Sequence, residues 1–158
     1  MQLIYNWIDE IPLSRPKRNI ARDFSDGVLV AEVVKQYIPH LVELHNYSAA
    51  HSVSQKVYNW NTMNQKIFKK IGFSLTKKEI DDAVNSTPDH IERILRLLQL
   101  HINKYLEKKK MKANFSSEGG YMPEGGYKQG MNFEYPGYMN EKENNNYPAM
   151  SNQFHQPQ

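Results

Sequence analysis

The sequence predicts an all-α fold. Apolar residues recur three and four positions apart in successive stretches, and helix-start signatures precede several of them. No run alternates with the period of two that a half-buried strand requires. The first helix is expected where Leu3, Ile4, Trp7, Ile8 and Ile11 form one stripe, with Pro12 ending it. A basic loop bearing Arg15, Lys17, Arg18 and Arg22 then runs into DFSDG. There Asp26 is the expected N-cap, since its carboxylate can accept first-turn N–H groups, and Gly27 tolerates a tight entry. Leu29, Val30, Val33, Val34, Tyr37 and Ile38 continue at helical spacing until Pro39.

Residues 40–51 read as an irregular or short helical connection that holds His40, His45 and His51. Ser52-Val-Ser-Gln55 is a capping-box pattern opening a long helix. Its expected core face is Val53, Val57, Trp60, Met63, Ile67, Phe68 and Ile71, and Gly72 suits the position just past its end. Thr76-Lys-Lys-Glu79 repeats the capping box for a short helix carrying Ile80, Ala83 and Val84. Thr87-Pro88 predicts an N-cap followed by proline at the first helical position. The helix it opens is expected to reach roughly Lys110, with Ile91, Ile94, Leu95, Leu98, Ile102 and Leu106 facing the core.

The 158 residues carry a net charge of +3, which averages two unlike parts. Residues 1–112 hold 18 Lys/Arg against 12 Asp/Glu, whereas residues 113–158 hold 2 against 5. No Leu, Ile or Val follows Leu106, and six of the eight glycines lie in the second part. A segment without branched aliphatic residues cannot offset the entropy of its own ordering. One domain at 1–112 and an extended, low-complexity tail at 113–158 are therefore expected. The tail repeats EGGYMP and EGGYKQ, then continues FEYPGYMN, so Tyr121, Tyr127, Phe133, Tyr135 and Tyr138 recur at short intervals. It reads either as a disordered terminus or as a segment laid along a partner, with those aromatics as anchors.

Several chemistries are absent from the sequence. Zero cysteine excludes disulfides, thiolate zinc sites and thiol catalysis, and is compatible with a reducing compartment. Gly27 and Gly72 are the domain's two glycines, so no phosphate-cradling loop exists, and neither GxSxG nor HExxH occurs. His40, His45 and His51 lack a fixed ligand spacing and read as structural residues; Asp81 and Asp82 point apart on one helix. Neither an enzyme nor a cofactor is expected. The start MQLIYNWIDE has no basic n-region, Met1-Gln2 lacks the glycine needed for myristoylation, and no apolar run reaches membrane-span length. A cytoplasmic, membrane-free protein is the expectation.

What remains is positive charge in three clusters. Arg15, Lys17, Arg18 and Arg22 sit within eight residues and repel one another without an anionic partner, which favours binding. Lys66, Lys69 and Lys70, continued by Lys77 and Lys78, are either an ordinary solvated face or a second contact. Lys108, Lys109, Lys110 and Lys112 come at the expected end of the last helix, where cations complement the macrodipole. Nucleic acid is a poor partner. The domain's aromatics fall on core faces, and the aromatic tail is acidic.

The run IPLSRPKRN to DFSDGVLVAE resembles the central signature of the calponin-homology domain. With LIYNWIDEIPLSRPKRN and ELHNYSAAHSVSQKVYNWNTMNQKIF it looks like the sperm flagellar protein 1 family, also called calponin-homology and microtubule-associated proteins. KIFKKIGFSLTK is similar to the matching segment of microtubule end-binding domains. The likeness covers about residues 3–107. It implies a single calponin-homology domain that binds microtubules in the cilium or flagellum axoneme, with tubulin as partner and Arg15, Lys17, Arg18, Arg22, Lys66, Lys69 and Lys70 as contacts. Actin-binding members of the wider fold come as tandem pairs, so actin is the weaker expectation. The tail lacks the heptads of a dimerising coiled coil, which sets this chain apart from longer family members. An adaptor or scaffold whose domain and aromatic tail bind a protein partner other than tubulin, with other axonemal proteins among the candidates for the tail, is the alternative.

Overall fold

The computed structural model describes residues 2–117. The expected tail anchors Tyr121, Tyr127, Phe133, Tyr135 and Tyr138 lie outside the described residues. Among the described residues the structure is helical throughout, without a strand. Helices α1 (Gln2–Asp9), α2 (Ile20–Asp23), α3 (Val28–Tyr37), α4 (Val53–Met63), α5 (Lys69–Ile71), α6 (Lys77–Val84) and α7 (His90–Ser117) follow in order. Two 3₁₀ turns, Pro39–Leu41 and Leu44–Asn46, join α3 to α4, and a π-helical segment, Asn64–Phe68, separates α4 from α5.

The centre is α3, whose Leu29, Val30, Ala31, Val33 and Val34 are all fully enclosed. The same core cluster holds Ile4 and Ile8 of α1, Trp60 and Met63 of α4, and Ile91, Ile94, Leu95 and Leu98 of α7. In α1 the buried stripe is Ile4, Ile8 and then Ile11; Leu3 is 56% exposed, and Trp7 stacks half-buried on Tyr37. Val53, expected on the core face of α4, is 59% exposed, because it sits at the first helical position before the helix reaches the core.

Helix boundaries separate local from tertiary causes. Thr76 and Glu79 form the complete reciprocal capping box. Ser52 caps α4, yet Gln55 turns its amide to Asn59 instead of closing the box. At α3 the cap is Gly27, left-handed at φ +79, rather than Asp26. Asp26 still accepts the Val28 N–H at 3.0 Å, one residue outside the expected place. The last helix begins at His90, not after Thr87, because Asp89 takes φ +62 and interrupts the entry. It ends at Ser117, well past Lys110, where Ser116 and Ser117 bond back to the carbonyls of Lys112 and Asn114.

The π segment was not foreseeable from periodicity. Asn64, at its start, donates to the Leu75 carbonyl and accepts the Leu75 N–H, both at 2.8 Å. This two-point clamp ties the helix to Leu75, just ahead of α6, and the wider π turn follows it.

Candidate basic binding surface

The basic loop is built around a buried acid. Asp26 has a side chain 4% exposed and accepts from Arg15 Nη2 at 2.9 Å, from the Val28 N–H and from the Ala50 N–H. Around it Asn59, fully buried, donates to the carbonyls of Asp26 and Ser48, and Trp60 donates to that of Ser25. Lys56 donates to the Ser25 hydroxyl at 2.9 Å. The DFSDG turn thereby satisfies its own polar groups while anchoring loop, α3 and α4 together.

Lys17 is likewise turned inward. Its ammonium donates to the carbonyls of Ile8 and Ile11 at 2.8 and 3.2 Å, closing the end of α1, and lies 3.8 Å from Asp9. Arg22 Nε lies 3.5 Å from Asp23 Oδ1. Burial alone would raise the Asp23 carboxyl, but N–H bonds from Asn19 and Arg18 and the Arg22 charge hold it below the usual range. The premise that four loop cations lack anionic partners is thus corrected. Arg15 and Lys17 are committed to the fold, while Arg18 and Arg22 are exposed.

Lys66, Lys69 and Lys70 are exposed along the π segment and α5, where Ile67, Phe68 and Ile71 face the core. Lys78 pairs with Asp82 at 2.8 Å. Beyond Gly72 the chain meets α7, and His101 Nδ1 lies 3.3 Å from the Ile71 carbonyl. This contact sets the Lys69–Lys70 end of α5 beside the part of α7 that leads to Lys104. The later lysines are exposed, and α7 continues five residues past Lys112. The macrodipole acts within the final turn, so it does not account for the terminal lysines.

A family model described as "CH-like domain in sperm protein" matches residues 4–100. The chain belongs to this family. Among curated relatives, "Sperm flagellar protein 1" of Xenopus laevis is 53% identical over 102 residues, covering 65% of this chain and 44% of that protein. The human protein of the same name is 42% identical over 128 residues, covering 77% and 54%, and the Bos taurus protein is 45% identical over 107 residues, covering 68% and 45%. The chain spans about half the length of the curated relatives it matches. Loop and α5 clusters fall inside the family segment, whereas Lys104 to Lys112 follow it.

No helix among the described residues is long and apolar enough to cross a membrane. Sequence reasoning missed Tyr5, Asp89 and Glu92, which meet Arg18 and Arg22 in an open cleft. Tyr5 and Glu92 are 87 residues apart and bonded at 3.0 Å, a pairing that no local spacing signals.

Proposed function

We propose that this chain is a non-enzymatic structural protein that binds microtubules of the cilium or flagellum. The supporting observation is the exposed cationic set Arg18, Arg22, Lys66, Lys69 and Lys70 within the segment shared with sperm flagellar proteins. Tubulin, as an acidic polymer, suits that charge. In this reading Arg15 and Lys17 shape the loop from inside, and Arg18 and Arg22 make its contacts. Lys109, Lys110 and Lys112 on α7 extend the positive surface.

Co-sedimentation with microtubules and with F-actin, each at low and physiological salt, tests the proposal. Microtubule pelleting should exceed actin pelleting and fall with salt, since exposed charges are screened over about 8 Å at physiological ionic strength. Reversing Lys66, Lys69 and Lys70 to Glu, or Arg18 and Arg22 to Glu, should weaken pelleting at least tenfold with the melt preserved. Reversal of Lys109, Lys110 and Lys112 should weaken it less. Equal pelleting with both filaments, or variants that pellet like the parent, would sink the proposal.

A further inference from the structure

Helix α7 turns one face to the core and leaves the opposite face uncovered. Ile91, Ile94, Leu95, Leu98 and Ile102 are buried on the first. At about 100° per residue, Leu100 stands roughly 200° round the helix from Leu98, and it is 41% exposed. On that outer side Leu97, Leu100, Lys104, Glu107 and Met111 follow one another at alternating spacings of three and four, the seam of a two-helix coil. Phe115 continues it one turn further on. Met111 is 49% exposed, and Leu97 and Phe115 are each partly exposed. A lone exposed Leu or Met is ordinary, but this seam runs along about 27 Å of helix.

The polar centre of the seam says what covers it. Lys104 and Glu107 are both exposed, and their order makes the seam complementary to itself. When a second α7 is laid alongside head to tail, with the register centred between Tyr105 and Leu106, Lys104 of each copy meets Glu107 of the other. Leu100 then meets Met111, and Leu97 meets Asn114 with Phe115 beside it. Aligned head to head, the same seam would set Lys104 against Lys104 and Glu107 against Glu107, so like charges oppose that arrangement. Lys109 and Lys112 turn away from the seam, at helix positions that leave their charge outside it. The body of the domain packs on the buried side of α7, which keeps the outer side open to another helix.

We propose that the outer face of α7 pairs head to tail with the same face of a second copy of this chain, giving a twofold-symmetric dimer. Its polar centre costs some stability and fixes orientation and register. A helix pair of this length buries less than the roughly 800 Å² per partner of a standard interface, so the dimer forms reversibly, at micromolar concentrations and above. It makes the chain bivalent, whichever polymer the wider basic surface meets.

Sedimentation velocity of the full chain, from micromolar to millimolar concentration, tests the proposal and should show a reversible monomer–dimer equilibrium. Lys104→Glu and Glu107→Lys, each alone, set like charges opposite one another and should weaken dimerisation at least tenfold. The double variant, which exchanges the two charges, should restore it, and all three should melt like the parent. Because the sequence has no cysteine, introduced thiols report the orientation. Under mild oxidation Leu100→Cys mixed with Met111→Cys should cross-link in higher yield than either variant by itself. A chain that stays monomeric at millimolar concentration, a dimer indifferent to the single reversals, a double variant as weak as the single ones, or Leu100→Cys linking best to itself would overturn the proposal. No polymer is present in the measurement, so its failure and a failure to pellet with microtubules are separate results.

Discussion

Arg15 reaches across eleven residues to place its guanidinium 2.9 Å from the Asp26 carboxylate at the mouth of the central helix. The partners are unequally buried, with side chains 37% and 4% exposed. Asp26 depends on the contact more than Arg15 does. The loop's charge is in part an internal counterweight.

Arg15→Ala should therefore destabilise the domain although it changes an accessible cation. Breaking a fully buried pair costs about 3–5 kcal/mol, but water can replace part of this contact and two N–H donors remain, so about 1–2 kcal/mol is expected. At roughly 4–8 °C per kcal/mol for a small domain, a thermal melt followed by circular dichroism resolves the loss. Arg18→Ala, on the same loop, should stay within about 0.5 kcal/mol of the parent. Equal melts for the two variants would remove Arg15 from the fold's framework.

The two domain glycines should respond differently to alanine. Both have left-handed backbones, φ +79 at Gly27 and +102 at Gly72. A Cβ at Gly27 would sit 2.5 Å from Met63 Cε and 3.4 Å from the Trp60 ring, inside the core. One at Gly72 would meet His101 Nδ1 at 3.4 Å near the surface. Gly72→Ala should cost about 1–2 kcal/mol from backbone strain. Gly27→Ala adds a packing conflict of about 1–3 kcal/mol. Urea titrations that give equal losses would contradict this ordering.

Stability should decline as pH falls below the unfolded imidazole's value of about 6.5, with His101 contributing. Burial lowers its affinity for a proton, the bond to the Ile71 carbonyl opposes this, and the Lys104 charge adds to the lowering. A depressed folded value means that the unfolded chain takes up the proton first. The stabilisation is full above the unfolded value of about 6.5 and is lost as pH drops through the lower folded one. His101→Gln should flatten melting temperature against pH over that interval. A slope identical to the parent's would assign the effect to other groups.

Much of the helical order was legible because its causes are local. The spacing from Leu29 to Ile38, the Thr76–Glu79 box and the Ile91–Ile102 stripe need no distant partner to be read. Asn64 is different: it clamps Leu75 from eleven residues away, and no apolar period announces that. The run after Lys110 carries too few apolar residues to register as a helix, yet α7 continues there to Ser117, largely exposed. At the basic surface, charge was visible and engagement was not. Lys17 bonds carbonyls, which every residue has, so its burial left no mark in the sequence. The acid in DFSDG was the available hint, since an aspartate ahead of an enclosed helix calls for a cation nearby.

The π segment has a consequence for how relatives of this chain can diverge. One residue more or fewer in a helix turns everything beyond it by about 100° without lengthening the chain appreciably. Asn64–Phe68 holds such a surplus directly ahead of Lys69 and Lys70. The wide turn absorbs it, so a single-codon deletion there would restore an ordinary α-helix and leave Lys69 and Lys70 on nearly their present bearing, with Ile71 still turned to the core. The segment works as slack, through which the helix carries one residue more without re-aiming the side chains beyond it.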